Sequence, residues 1–100
     1  MDAECVLDRK DEIAVGVFQQ LVVWRVPAPV RASTHSFKYR LALIADDVCV
    51  MRYDNEAGKG DHKHWGETQL DYVFVDLARL LTDFDADVDR WMNEYRSDQR

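Results

Sequence analysis

At its centre the chain reads Phe37-Lys-Tyr-Arg-Leu-Ala-Leu-Ile44, then Ala45-Asp-Asp47, then Val48-Cys-Val-Met-Arg-Tyr-Asp-Asn55. The two apolar runs alternate with a period of two residues, and a short acidic turn joins them, so the stretch predicts an antiparallel hairpin. If Tyr39 and Tyr53 share one face, alternation puts four charged side chains on the other face. These are Lys38, Arg40, Arg52 and Asp54.

The flanking sequence adds further strands and one helix. Residues 17–26 are rich in β-branched and aromatic side chains and predict a long strand, while residues 3–10 and 72–75 predict shorter ones. Apolar residues spaced three and four apart then predict a helix from Leu77 to Tyr95, with Asp76 as its N-cap. Four acidic residues are expected on the solvated side of this helix: Asp83, Asp85, Asp87 and Asp89.

These elements predict an α+β fold, in which a four- or five-stranded antiparallel sheet carries one long C-terminal helix packed on one face. A length of 100 residues predicts a single domain spanning residues 1–100. One helix covers one face, so the charged face of the hairpin is expected to stay open. Apolar Ile44, Val48 and Val50 border it, which suggests a contact with a protein partner or a second copy of the chain.

The charge distribution points to a local anionic ligand. The net charge is −6, yet residues 25–65 carry a net charge of +2 and all three histidines. This pattern suits a short anionic ligand or a protein partner better than a long duplex. No apolar run is long enough to span a membrane, and the acidic N-terminus is unlike a signal peptide, so a cytoplasmic protein is expected. Cys5 and Cys49 lack metal-site spacing, and no cofactor is predicted.

The stretch from residue 52 to residue 64 carries the chemistry-bearing residues. In an extended chain His62 and His64 project to the same side, and a histidine can act as general acid or general base near neutral pH. RNA supplies its own nucleophile, the 2′-hydroxyl, so a metal-free ribonuclease needs a base, an acid and cations for the developing charge. The predicted catalytic set is His62, His64, Arg52, Asp54, Lys38 and Arg40.

A second set of residues in the same stretch is predicted to bind substrate or to support the site: Tyr53, Asn55, Lys59, Asp61 and Lys63. Lysines would contact phosphate, Asp54 or Asp61 could orient a histidine, and Tyr53 or Trp65 could stack on a base.

Other interpretations of the same residues stay open. His-x-His is also a metal-ligand spacing, which Asp54 or Asp61 could complete in a metal-dependent nuclease. The stretch could equally be a polar hairpin loop, and His35 a surface histidine. The open face could belong to a non-enzymatic protein-binding module, and a nucleotide could replace RNA as the anionic substrate.

Three motifs give the chain a family resemblance: Val23-Trp-Arg-Val-Pro27, His35-Ser-Phe-Lys-Tyr-Arg40 and Arg52-Tyr-Asp-Asn-Glu-Ala-Gly-Lys-Gly-Asp-His-Lys-His64. Together with the pattern over residues 80–88, they resemble the TumE-like toxins of bacterial toxin–antitoxin pairs. The resemblance implies a growth-inhibiting toxin that targets RNA and is encoded beside a helix-turn-helix antitoxin. Its matching positions are Lys38, Arg40, Arg52, Tyr53, Asp54, Asn55, Asp61, His62 and His64. Residues 65–72 depart from the family pattern.

Overall fold

The computed structural model describes the backbone of residues 2–98 and the side chains of residues 2–95. It contains one antiparallel sheet in which the six strands follow one another in chain order. The strands are β1 (Glu4–Ala14), β2 (Val17–Arg25), β3 (Phe37–Ala45), β4 (Val48–Glu56), β5 (Gly60–Trp65) and β6 (Thr68–Asp71), and the helix α1 is Leu77–Asp98. The α+β class with one helix is therefore confirmed.

The number of strands differs from the prediction, since the sheet has six and not four or five. The polar stretch after β4 forms the complete strand β5, because its backbone pairs with β4 whatever its side chains are. All four side chains of β6 are exposed, so no apolar alternation marks this strand in the sequence. Residues 72–75, predicted as a strand, form none, since only Tyr72 still donates a backbone hydrogen bond to β5.

The central hairpin is confirmed with its preferred register. Arg40 lies opposite Asp54, and Leu41 lies opposite Tyr53. Asp46 and Asp47 form the turn with φ angles of 50° and 66°. Aspartate reaches this left-handed region more readily than a β-branched residue does, so the acidic pair suits the tight connection.

The hydrophobic core lies between α1 and one face of the sheet. Leu80, Phe84, Val88 and Met92 recur at helical spacing and are buried against alternate residues of β2, β3 and β4. Asp76 caps the helix, because its Oδ1 accepts a hydrogen bond of 2.7 Å from the backbone N–H of Arg79. In the described part of the chain, no helix is long and apolar enough to cross a membrane.

Two of the four acidic helix residues do not face solvent, contrary to the prediction. Asp83 accepts a hydrogen bond of 2.7 Å from the Tyr72 hydroxyl, and Asp87 accepts one from the Tyr53 hydroxyl. Burial alone would raise the pKa of Asp83, but hydrogen bonds from Tyr72 and Arg79 outweigh it and lower that pKa. These polar contacts fasten the helix to the sheet beside the apolar core.

Candidate active site

The open face of the sheet, on the side away from α1, collects six predicted catalytic residues through strand register. Directly paired residues of neighbouring strands share a face. Arg40 on β3 is paired with Asp54 on β4, and Asp54 with His62 on β5. Arg52 is paired with His64 in the same way. Lys38, two residues before Arg40, completes the set on this face. The histidines therefore lie on the same face as the predicted cations.

The β4–β5 hairpin holds a compact cluster of Arg52, Asp54, His62 and His64. His62 Nε2 lies 2.8 Å from Asp54 Oδ1, and Arg52 Nε lies 2.9 Å from Asp54 Oδ2. Arg52 Nη2 is 3.1 Å from His64 Nε2, and the two imidazole rings stand edge to face with centroids 4.9 Å apart. The hairpin thus places two imidazoles, a carboxylate and a guanidinium in mutual contact.

The close contacts around Asp54 are not aligned as hydrogen bonds. In the described part of the chain, Asp54 Oδ1 and Arg52 Nε are buried and have no partner with hydrogen-bond geometry, despite their close neighbours. His62 has one aligned contact, 3.1 Å from Nδ1 to the Gly60 carbonyl oxygen, which can only accept. His62 Nδ1 therefore carries a proton, and Nε2 is the ring atom that faces the carboxylate.

The two histidines differ in accessibility and environment. His62 is 2% exposed and Asp54 is 5% exposed, so this pair forms the floor of the cluster. His64 is half-buried and reachable from the open face. Burial lowers the pKa of His64 below its ordinary value of 6.5, and the neighbouring positive charge of Arg52 lowers it further. A neutral His64 at pH 7 is consequently the accessible proton acceptor of the site.

The structure also brings together three possible metal ligands. Asp54, His62 and His64 each offer one ligand atom, and these three atoms lie within 4.8 Å of one another. Two imidazoles and one carboxylate suit zinc and other first-row transition metals. However, the Arg52 guanidinium contacts both Asp54 and His64, and its fixed positive charge opposes a second cation at the same place.

Four of the five predicted substrate-binding residues do not reach this face: Tyr53, Asn55, Asp61 and Lys63. Alternation turns them toward the helix side, since they pair with each other across β4 and β5. Tyr53 is 1% exposed, and Lys63 Nζ lies 3.1 Å from Asp87 on α1. The fifth, Lys59, lies in the β4–β5 turn and forms an ion pair with Glu56 at 3.3 Å.

Asp61 and Asn55 hold the long loop between β2 and β3. Asp61 accepts hydrogen bonds of 2.7 Å from Ser33 and 2.8 Å from Tyr39, and it lies 2.7 Å from His35 Nε2. Asn55 accepts from the Tyr39 backbone N–H at 2.9 Å. His35, predicted as a surface histidine, instead stacks on Phe74 with ring centroids 3.7 Å apart. The contacts of His35 are structural and lie on the helix side.

The surface beside the histidine cluster is cationic and partly apolar. In the described part of the chain, no carboxylate forms an ion pair with Lys38 or Arg40. A shallow depression of about 170 Å³ adjoins them, lined also by Val22 and Trp24. Two larger clefts of about 410 and 480 Å³ lie between α1 and the first strands, and Asp85 lines both. An anionic ligand would therefore favour the smaller, cationic surface.

Trp24 is not among the predicted site residues, although the sequence contains a usable signal for it. Trp24 is separated by one residue from Val22, and Lys38 by one residue from Arg40, so alternation alone groups each pair on one face. What the sequence lacked was the pairing of β2 with β3, which puts Trp24 opposite Lys38.

Comparison with known proteins identifies a family for this chain. A family model with the description "Toxin TumE" matches residues 3–92. The match spans every strand of the sheet and most of α1. No curated protein and no solved structure matches the chain.

Proposed function

The chain belongs to the TumE toxin family, and from this premise we propose that it is the toxin of a type II toxin–antitoxin pair that cleaves cytoplasmic RNA without a metal ion. The observation that carries the proposal is the position of His64. It is an accessible imidazole with a lowered pKa, it contacts Arg52, and it shares the open face with the exposed cations Lys38 and Arg40.

His64 is the general base in this proposal. Its imidazole takes the proton from a ribose 2′-hydroxyl, and the resulting oxygen attacks the adjacent phosphorus. The bond from phosphorus to the 5′-oxygen of the next nucleotide breaks, and that oxygen takes up a proton from solvent, which reaches the open face freely. The products are a 2′,3′-cyclic phosphate and a 5′-hydroxyl. Returning the His64 proton to solvent completes the cycle.

Arg52, Arg40 and Lys38 stabilise the charge that develops on the phosphate oxygens. Donors aimed at this charge contribute several kcal/mol when they are already in place before the reaction. Arg52 is already in place because its Nε lies 2.9 Å from the buried Asp54 carboxylate. Substrate phosphate can replace the contact between Arg52 and His64, which frees Nε2 to accept the proton.

Asp54 and His62 act as positioning residues. They are buried beneath Arg52 and His64, so they do not touch substrate in this conformation. The Asp54 carboxylate forms an ion pair with Arg52 and lies 2.8 Å from His62 Nε2. Removing the carboxylate would leave the guanidinium without its counter-charge, and the orientation of Arg52 would be lost.

A metal-dependent nuclease is the second candidate, supported by the closeness of the ligand atoms of Asp54, His62 and His64. A bound divalent ion would activate water as the nucleophile in that case. The two candidates make opposite predictions for a chelator, which keeps them experimentally separate.

The experiment incubates the purified protein with single-stranded RNA in the presence of EDTA. Wild-type protein should cleave, and His64→Ala should be slower by roughly 10²- to 10⁴-fold, the usual contribution of a general base. Gln69→Ala is the matched control, because Gln69 is exposed on β6 directly opposite His64. Cleavage that stops in EDTA and returns with a divalent ion supports the metal-dependent candidate. If RNA is not cleaved in EDTA or with a divalent ion, and the His64→Ala variant still inhibits growth, the ribonuclease proposal is refuted.

The toxin family implies an antitoxin partner, and we propose that this partner is a helix-turn-helix protein encoded in the adjacent reading frame. The exposed cations Lys38 and Arg40 offer a surface for an acidic segment of the antitoxin, where complementary charge speeds association. If the proposal holds, co-purification with the adjacent gene product should abolish RNA cleavage, and Arg40→Glu should weaken the complex. A complex that leaves RNA cleavage intact would count against coverage of this face.

A further inference from the structure

We propose that Trp24 is a stacking platform for a base of single-stranded RNA, next to a backbone path over Lys38 and Arg40 that leads to His64. This inference rests on the proposed function and deepens it, because it assigns a subsite on the open face that binds a nucleobase and not a phosphate. The platform lies at the β2 side of the candidate active site.

The register of three strands places this subsite. Trp24 on β2 is directly opposite Lys38 on β3, and Val22 is opposite Arg40. Arg40 is in turn opposite Asp54 at the edge of the histidine cluster. Trp24 is 38% exposed, and with Val22 it lines the depression beside the two cations. An exposed indole beside exposed cations is the arrangement that single-stranded nucleic acids bind, through base stacking and phosphate contacts.

Three other aromatic side chains, Tyr53, Trp65 and Phe18, are less suited to this role. Tyr53 is buried in the core and faces α1. Trp65 is covered by the guanidinium of Arg90, whose carbon lies 4.3 Å from the ring centroid. Phe18 shares the open face, but the Lys10 ammonium lies 5.1 Å from its ring centroid and it sits toward the opposite end of β2. Of these aromatic side chains, Trp24 is therefore the one that lies on the open face beside Lys38 and Arg40.

The spacing of the sheet is compatible with one RNA strand contacting both places. Three strand-to-strand steps separate β2 from β5, a distance of about 14 Å. Lys38 and Arg40 on β3 lie between them, so phosphates crossing the sheet meet positive charge on the way. On β1, Asp8 is paired with Val22, and its negative charge limits the path on the side away from the histidines. Charge complementarity thus favours RNA as the occupant and defines a path for the RNA strand from β2 across β3 toward β5.

The test measures binding separately from cleavage. Full-length protein carrying His64→Ala is titrated against fluorescein-labelled decaadenylate, and anisotropy reports the affinity. Adding Trp24→Ala should weaken binding by about 5- to 150-fold, the range for loss of one stacked base. Trp24→Phe should recover part of that loss, since it restores an aromatic face. Val48→Ala is the control, because Val48 is exposed at the distant β3–β4 turn and should leave the affinity unchanged.

A backbone that lacks bases distinguishes stacking from a general loss of structure. The same titrations are repeated with a labelled abasic ribose-phosphate decamer, for which Trp24→Ala should have almost no effect. Equal losses with both probes, or no loss with decaadenylate, would overturn the proposal. So would a Trp24→Ala variant that loses the antitoxin but binds RNA normally, because the surface would then be a protein-docking site. Failure of wild-type protein to cleave RNA, with Trp24-dependent binding retained, would refute the proposed function and leave the base subsite standing.

Discussion

Replacing Tyr53 by phenylalanine should destabilise the fold without abolishing activity. The Tyr53 ring packs edge to face on Phe84, and its hydroxyl donates to the Asp87 carboxylate. Hydrogen bonds to charged groups contribute about 1.5–3 kcal/mol. Asp87 keeps Lys63 at 3.1 Å, which places the expected loss in the lower half of that range, at about 2 kcal/mol. For a domain of this size the loss corresponds to a fall in Tm of roughly 8–16 °C.

Thermal and urea unfolding followed by circular dichroism would measure this loss, with RNA cleavage assayed well below the lowered Tm. Tyr95→Phe is the control, because the Tyr95 ring stacks on Trp91 and its hydroxyl makes no hydrogen bond with the described residues. Unchanged stability would refute the assigned hydrogen bond. Unchanged stability together with lost cleavage would show that Tyr53 serves the substrate, as the sequence first suggested.

Three further predictions concern pH and local structure. The cleavage rate should rise with pH up to the lowered pKa of His64, which lies below 6.5. Above that pKa the rate should level off, because the neutral ring is the base. A fall in the rate before about pH 8 would instead reveal a titrating acid. Asp76→Ala removes the cap of α1 and should cost about 1 kcal/mol in urea unfolding. Gly60→Ala should lower the free energy of unfolding by about 1–3 kcal/mol, because φ is +74° and the new Cβ would meet the Ala32 carbonyl oxygen at 3.0 Å. Unfolding curves of the Asp76→Ala or Gly60→Ala variant that match wild type would contradict the corresponding assignment.

Alternation was enough to predict that the charged side chains of the central hairpin share one face, whereas the pairing of β4 with β5 is what places the histidines on that face. A period of two is a property of the extended backbone, so once Tyr39 and Tyr53 share the core face, Arg40 and Asp54 must share the other. The same logic places His62 and His64 together, because they are two residues apart within one strand. The helix was equally clear, since its apolar residues repeat at the spacing that packing on a sheet requires.

Alternation also contained information that the sequence analysis did not use. Tyr53 and Lys63 are each one residue away from cluster members, so the same period of two turns them toward the core. A tyrosine in a charged stretch suggested substrate contact, but its partner Asp87 lies 34 residues further along the chain. Nothing local indicates such a partner, and only the docking of α1 on the sheet reveals it.

The number of strands and the contacts of the loop between β2 and β3 could not be predicted from the sequence, because both depend on tertiary structure. β6 has four exposed side chains, and its identity comes from backbone pairing with β5, which no side-chain pattern records. Asp61 likewise resembled a site residue because it precedes His62. It instead accepts hydrogen bonds from Ser33 and Tyr39, and such contacts between a loop and a strand are set by the folded arrangement of both.

The ends of the RNA products test the central claim most directly. Wild-type protein is incubated with a defined single-stranded RNA in EDTA, and the fragments are analysed by mass spectrometry. If His64 activates the 2′-hydroxyl, the upstream fragment ends in a 2′,3′-cyclic phosphate, the downstream fragment begins with a 5′-hydroxyl, and a 2′-deoxy substitution at the cleaved position blocks the reaction. Fragments with a 3′-hydroxyl and a 5′-phosphate, formed also from the 2′-deoxy substrate, would show that water is the nucleophile and would contradict the account.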